Sequence, residues 1–130
     1  MRFFLFTDGA SRGNPGPAAA GVVLKDERGK VLAEVSQPLG RMTNNEAEYR
    51  ALILGLTKAR ELVRDGTLVV LMDSELVISQ LTGLYKIKAV HLRSLAAEVK
   101  AKEKAFSKLM YTHIPREKNA RADELANAAF

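Results

Sequence analysis

Short apolar runs in the first half of the chain predict three strands. FFLF, residues 3–6, is a buried strand that ends at Asp8-Gly9. The next segment, SRGNPGPAAAG at residues 11–21, is rich in glycine and proline and predicts a loop. An apolar run at 22–24 and alternating apolar positions at 31, 33 and 35, on either side of a turn near residues 26–29, predict a hairpin.

The second half of the chain alternates helices with strands. TLVVLM, Thr67–Met72, is continuously apolar, which is typical of a strand covered on both faces. KLMYTHI, residues 108–114, predicts a last strand that Pro115 ends. Four helices are predicted, from Thr43 to about Val63, from Ser74 to about Leu81, from about Val90 to Phe106, and from Asn119, as its cap, to Phe130.

The order β β β α β α α β α predicts an α/β fold. We expect a five-stranded mixed sheet, three antiparallel strands followed by parallel ones, with helices on both faces. The first strand should be central, beside the Thr67–Met72 strand.

Two glutamates near the start of the long helix have different predicted roles. Thr43 and Glu46 have the spacing of a capping box, and Glu46 lies four residues before Arg50, as in a helical ion pair. Glu48 instead leads the apolar stripe that should face the sheet, which continues through Leu52, Gly55, Leu56, Ala59 and Val63. A buried glutamate needs a partner, which this pattern leaves open as an arginine, a hydrogen-bond network or a metal ion.

Three aspartates add to Glu48. Asp8 follows the first strand, Asp73 follows the Thr67–Met72 strand, and Asp123 lies in the first turns of the last helix. Each alone is explained by a turn or a helix start. If the two strands are parallel neighbours, Asp8 and Asp73 emerge at one edge of the sheet. Four clustered carboxylates fit a hard divalent cation, Mg²⁺ with Mn²⁺ as a substitute.

Composition narrows the class of protein. The chain has 130 residues and no cysteine, so we expect one domain over residues 1–130, without disulfides or thiolate metal sites. No segment has the length of a signal-peptide core or a membrane span, so we expect a cytoplasmic monomer with no membrane partner. The net charge of +5 lies within residues 84–108. This basic region indicates a polyanionic partner such as nucleic acid, although the simpler interpretation is a lysine-rich helix face exposed to solvent.

Four motifs together resemble the type 1 ribonuclease H family. They are DGASRGNPG, TNNEAE, MDS and ADELAN, and their order and spacing match the family over nearly the whole chain. The resemblance implies a ribonuclease H-like fold with Asp8, Glu48, Asp73 and Asp123 as catalytic metal ligands. It also implies endonucleolytic cleavage of the RNA strand of an RNA–DNA hybrid with two Mg²⁺ ions, leaving 3′-hydroxyl and 5′-phosphate ends.

The resemblance carries over less directly at one catalytic position. His113 has the family's spacing of ten residues before the last aspartate, but HIPREKN differs from the glycine-bearing loop of many members. His113 is therefore a candidate catalytic residue, with Arg116 or Glu117 as alternatives and a strand-end histidine as the structural interpretation. The segment LTGLYKIKAVHLRSL is also too short for the basic insertion that many members carry.

Substrate contacts are predicted on both sides of the carboxylates. Asn14, Thr43, Asn44 and Asn45 could bind 2′-hydroxyls, base edges or a phosphate, or could simply be turn and helix-start residues. Lys86 and Lys88 are candidate phosphate contacts. Two other classes stay open, a related nuclease or strand-transfer enzyme of the same fold, including one that cuts double-stranded RNA, and a non-catalytic hybrid-binding protein.

Overall fold

The computed structural model describes residues 1–130. Its five strands are β1 Arg2–Ser11, β2 Gly16–Asp26, β3 Val31–Met42, β4 Thr67–Met72 and β5 Lys108–His113. Its helices are α1 Asn44–Leu62, α2 Glu75–Leu81, α3 Val90–Glu103 and α4 Ala120–Ala128, with a single 3₁₀ turn at Arg116–Asn119. The predicted order of strands and helices is confirmed.

The strands form one sheet in the order β3-β2-β1-β4-β5, which confirms the central place of β1. β1 pairs antiparallel with β2 and parallel with β4, and β4 pairs parallel with β5. The carboxyl ends of β1, β4 and β5 therefore lie at the same edge of the sheet.

The predicted loop over residues 11–21 is mostly wrong. β1 continues through Asp8 and Gly9 to Ser11, and these residues pair with Ala18–Gly21 of β2. Glycine and proline favour a loop locally, but small side chains on both strands let the two backbones pair at long range. Only residues 12–15 remain between the strands, and Asp8 lies within a strand instead of beyond its end.

Helix α1 confirms the predicted capping box and apolar stripe. Glu46 N donates to Thr43 Oγ1 at 3.2 Å, and Thr43 N donates to Glu46 Oε1 at 3.0 Å. Leu52 and Leu56 are fully buried against the sheet. The predicted Glu46–Arg50 pair is wrong, because Arg50 reaches across to Glu98 of α3 at 3.2 Å.

Helix α4 covers the opposite face of β1, β2 and β3. A Cβ atom at Gly21 of β2 would collide with the Ala122 carbonyl oxygen and would lie 2.7 Å from Ala126 N, so only glycine permits this approach. Ser36 of β3 donates to the Leu125 carbonyl at 2.6 Å and holds the far end of the helix. Asn119 precedes α4 but makes no side-chain cap bond, contrary to the predicted capping role.

None of the helices is long and apolar enough to cross a membrane.

Gly21→Ala should destabilise the protein, because α4 must move away from β2 to make room for the methyl group. Overpacking of this kind costs about 1–3 kcal/mol, measured as a lower urea midpoint. Gly40→Ala is the control. Gly40 has φ +83°, but no atom lies within 4 Å of the point that an added Cβ would occupy, so this variant carries backbone strain without moving a helix. A Gly21→Ala protein as stable as the parent would contradict the close approach.

Candidate active site

Three carboxylates converge at the carboxyl edge of β1 and β4. Asp8 projects from β1 opposite Gly21, and Asp73 directly follows β4. Together with Glu48 of α1 they can each place one oxygen within 4.8 Å of the others. The prediction that Asp8 and Asp73 lie at the same edge of the sheet is confirmed, because their strands pair in parallel.

Glu48 reaches this edge because α1 approaches β1 at Gly9. A Cβ atom at Gly9 would collide with the Ala47 carbonyl and would lie 2.6 Å from Glu48 N. Gly9 N donates to Glu48 Oε1 at 2.9 Å, and Glu48 is only 6% exposed. The partner that the sequence left open therefore includes a backbone N–H, and Arg116 adds positive charge nearby.

Asp123 joins the cluster from the opposite face of the sheet. It lies on α4 beside Asp8, close enough for a shared hydrogen bond when one of the two carboxyls is protonated. Asn127 Nδ2, one turn further along α4, donates to Asp123 Oδ2 at 3.3 Å. Asp123 lies outside the group of three that meet within 4.8 Å, so it stands at the margin of the cluster.

Burial and crowding raise the pKa values of the clustered acids. Burial, and then the charges of Glu48, Asp73 and Asp123, raise the pKa of Asp8 to about 8. Burial also raises the pKa of Glu48 to about 8, against the opposing effect of the Gly9 hydrogen bond. The pKa of Asp73 is raised by burial, and Arg116 opposes that shift. An all-oxygen set with this much uncompensated negative charge fits a hard divalent cation, because such a cation would relieve the repulsion.

A cleft of about 500 Å³ opens above the carboxylates. Its lining includes His113 and Arg116, as well as Asn44, whereas Glu117 is not part of it. The Ile114 N–H donates to the Met72 carbonyl at 2.9 Å, which prolongs the β4–β5 pairing by one residue and directs the chain over the cleft. Of the three candidates in this segment, His113 and Arg116 face the site.

Hydrogen bonds connect the loop that carries Asn14 to the start of α1. Asn44 N donates to Asn14 Oδ1 at 3.0 Å, and Ser11 N donates to Asn44 Oδ1 at 3.3 Å. Thr43 is half-buried and its hydroxyl accepts the capping bond, while Asn45 is half-buried beside it in the first turn. The structure thus brings Asn14 next to Asn44 at the start of α1, beside Thr43 and Asn45, and of these four predicted substrate residues only Asn44 lines the cleft.

Comparison with known proteins agrees with this geometry. Residues 6–129 match the family model described as reverse transcriptase-like. A bifunctional protein of Mycobacterium tuberculosis is 45% identical over the whole chain, and ribonuclease HI of Halobacterium salinarum is 44% identical over 99% of it. The structure of LC11-RNase H1 in complex with an RNA/DNA hybrid superimposes with a TM-score of 0.93 at 45% identity, covering 98% of this chain and 95% of that one.

The chain belongs to the type 1 ribonuclease H family. It spans 36% of the length of the mycobacterial relative and 64% of the Halobacterium one.

A short loop, residues 82–89, links α2 to α3. Lys86 and Lys88 are exposed on this loop. Arg93 of α3 donates from Nε to the Ile87 carbonyl at 2.7 Å and from Nη2 to the Lys88 carbonyl at 3.3 Å. Arg93 therefore holds the loop that carries the two lysines, a role that the charge pattern alone did not indicate.

The raised pKa values predict how stability depends on pH. Unfolded aspartate and glutamate ionise near pH 4, so between about pH 5.5 and 8 the metal-free native state binds more protons than the unfolded chain. The free energy of unfolding in the presence of EDTA should fall as pH rises across this window, measured by urea denaturation.

Glu48→Gln is the matched control, because glutamine keeps the shape without a titrating proton and should flatten this slope. The pKa values of Glu34 and Glu46 are lowered, by bonds to Arg121 and Thr43 respectively, so their contributions vary only below this window. A metal-free protein that gains stability from pH 5.5 to 8 would contradict the assignment.

Proposed function

We propose that this chain is a metal-dependent endonuclease that hydrolyses the RNA strand of RNA–DNA hybrids. The observation that carries the proposal is the convergence of Asp8, Glu48 and Asp73 within 4.8 Å, with Asp123 beside them, under an open cleft. The hybrid bound to LC11-RNase H1 supports the choice of substrate class. We further propose that residues 1–130 form one catalytic domain.

The four carboxylates would hold two Mg²⁺ ions, with Mn²⁺ as a substitute. When bound, such a pair activates a water for attack on the scissile phosphate and stabilises the leaving oxygen. Cleavage of the bond between phosphorus and the 3′ oxygen leaves a 3′-hydroxyl and a 5′-phosphate. The carboxylates would hold and orient these ions, whose charge would offset their mutual repulsion.

His113 and Arg116 line the cleft above the carboxylates and would contact the scissile phosphate. His113 is exposed at the end of β5, so it can exchange a proton with solvent and deliver it to the leaving 3′ oxygen. The Arg116 guanidinium lies near Glu48 and Asp73, where it can contact a non-bridging phosphate oxygen. Arg116 thus supplies charge, and His113 supplies proton transfer.

Selection of the RNA strand would depend on the asparagine side chains at the start of α1 and in the loop before β2. Amide groups both donate and accept, so Asn14, Asn44 and Asn45 suit 2′-hydroxyls and base edges in a wide minor groove. Thr43 at the start of α1 suits a phosphate. Lys86 and Lys88 would add contacts to backbone phosphates farther along the duplex, which give affinity more than selectivity.

The two remaining function classes differ in how they use the carboxylates. A protein that only binds hybrids gains nothing from buried acids beside phosphates, so the cluster disfavours that class. Double-stranded RNA also offers 2′-hydroxyls in a wide minor groove, so it is the second substrate to test.

Cleavage should require both hybrid and metal. We expect the protein to cut the RNA of a hybrid in Mg²⁺, and to cut neither the hybrid in EDTA nor double-stranded DNA, as measured by gel electrophoresis of end-labelled duplexes. Glu48→Gln should abolish most cleavage, because it removes a metal ligand.

Glu46→Gln, two residues away on the same helix, is the control. Glutamine preserves the capping box, so this variant should stay active and lose at most about 1 kcal/mol of stability. Equal loss of activity in both variants would overturn the choice of Glu48, and cleavage of double-stranded RNA at the rate of the hybrid would widen the substrate class.

Ribose on both sides of the scissile phosphate should be needed. An amide that the bound duplex covers, and that lacks its 2′-hydroxyl partner, pays a penalty of about 1–3 kcal/mol, so cleavage should be poor at one ribonucleotide in a DNA duplex and improve as the run lengthens. Asn14→Ala and Asn45→Ala should erode this preference. Efficient cutting at an isolated ribonucleotide would show that other contacts select the strand.

A further inference from the structure

Asn119 is a buried polar side chain that the proposed chemistry does not use. It is 1% exposed, and its Nδ2 donates to the Thr7 carbonyl at 2.9 Å, which links residues 112 positions apart. Its Oδ1 is buried without a hydrogen-bond partner. The side chain makes no cap bond to α4, so helix capping does not explain it.

The Thr7–Asn119 bond lies where the sheet opens into the cleft. The parallel pairing of β1 with β4 ends at Phe6 and Leu71, Thr7 is the next residue of β1, and Asp8 follows it. The Asn119 amide therefore binds β1 just past the last ladder pair, immediately before the residue that projects into the site.

The same side chain fixes the start of the helix that carries Asp123. Asn119 ends the 3₁₀ turn, and Asp123 lies four residues on, one helical turn into α4. Two other hydrogen-bonded links between α4 and the sheet reach β3, through Ser36 to the Leu125 carbonyl and through Arg121 to Glu34, and Asp123 itself lies beside Asp8 of β1. Asn119 thus links the residue just before α4 to the backbone of the strand that carries Asp8, independently of the protonation of the carboxyls.

Stability alone does not account for an amide at this place. An amide buried with one unpaired acceptor costs free energy that an apolar side chain would not. The donor, however, provides a directional contact that an apolar residue cannot provide.

We propose that Asn119 is a positioning residue that sets the separation of Asp8 and Asp123, and so the affinity of the carboxylate cluster for its cation. The inference rests on the proposed hydrolysis for its kinetic consequence, and its binding consequence stands independently. Without the Nδ2 donor the first turn of α4 is free to shift away from β1, and Asp123 shifts with it.

Asn119→Ala removes the donor, and Ser36→Ala is the matched control, because it also removes one hydrogen bond from a side chain to a backbone carbonyl between α4 and the sheet. Two experiments are done on each folded variant. The first measures Mn²⁺ affinity without nucleic acid, from the free-ion signal in electron paramagnetic resonance, and the second measures kcat and KM on a hybrid over a range of Mg²⁺ concentrations. Melting temperatures report the structural loss alone.

Both variants should melt at lower temperature than the parent. Asn119→Ala should also bind Mn²⁺ more weakly. It should lower kcat by about 10- to 100-fold with KM for the hybrid unchanged, as expected when a metal ligand is displaced by up to about 1 Å. Excess Mg²⁺ should partly restore its kcat. Ser36→Ala should keep the parent's Mn²⁺ affinity and kcat.

The inference is overturned if Asn119→Ala matches Ser36→Ala in both Mn²⁺ affinity and kcat. If Asn119→Ala does not fold, Asn119→Ser, which is smaller but keeps a hydroxyl donor, takes its place. If that hydroxyl does not restore the hydrogen bond to the Thr7 carbonyl, Mn²⁺ binding as tight as in the parent would equally overturn the inference. A parent protein that binds Mn²⁺ but cuts no hybrid would refute the proposed function, while the Mn²⁺ comparison would still decide the role of Asn119.

Discussion

Two helices approach the central strands so closely that only glycine fits between them. Gly9 of β1 faces α1, and Gly21 of β2 faces α4 on the other side of the sheet. Gly21 pairs directly with Asp8, and Gly9 follows Asp8 in the chain. Asp8 is therefore flanked by the two points of closest approach, and these bring Glu48 from one layer and Asp123 from the other to the same edge of the sheet.

This arrangement carries an electrostatic penalty that the fold has to offset. Burial and mutual repulsion raise the pKa values of Asp8, Glu48 and Asp73, so the ionised cluster opposes folding when no cation is present. The apolar core beneath α1 offsets this electrostatic penalty. It includes Leu5, Leu52 and Leu68, all fully buried. A site that is destabilising without its ion is well suited to bind that ion tightly, because binding relieves the repulsion.

Features set by local sequence could be predicted, and features set by long-range contacts could not. The capping box of α1, its apolar stripe and the limits of β4 depend on residues a few positions apart, and all were predicted correctly. The same local periodicity singled out Glu48 over Glu46, and the structure places Glu48 in the cluster. The extent of β1, by contrast, depends on pairing with Ala18–Gly21, which the local glycine and proline content concealed.

Side-chain partners were the least predictable part of the site. Arg50 has an acceptable partner four residues away but pairs with Glu98, and Asn119 resembles a helix cap but binds the Thr7 carbonyl. From the sequence, Arg93 is one of the charges of the basic region 84–108, yet in the structure it donates hydrogen bonds to the backbone of the loop that carries Lys86 and Lys88. In each case the deciding partner comes from a different element, and only the folded arrangement of elements identifies it.

The central claim is that the two close approaches create a cation site centred on Asp8. It is tested most directly by the anomalous scattering of manganese in crystals of the protein soaked in millimolar Mn²⁺. We expect anomalous density in contact with the carboxylates of Asp8, Glu48 and Asp73, and its loss in crystals of the Asp8→Asn variant. Crystals with ordered carboxylates and no manganese density among them would contradict the claim.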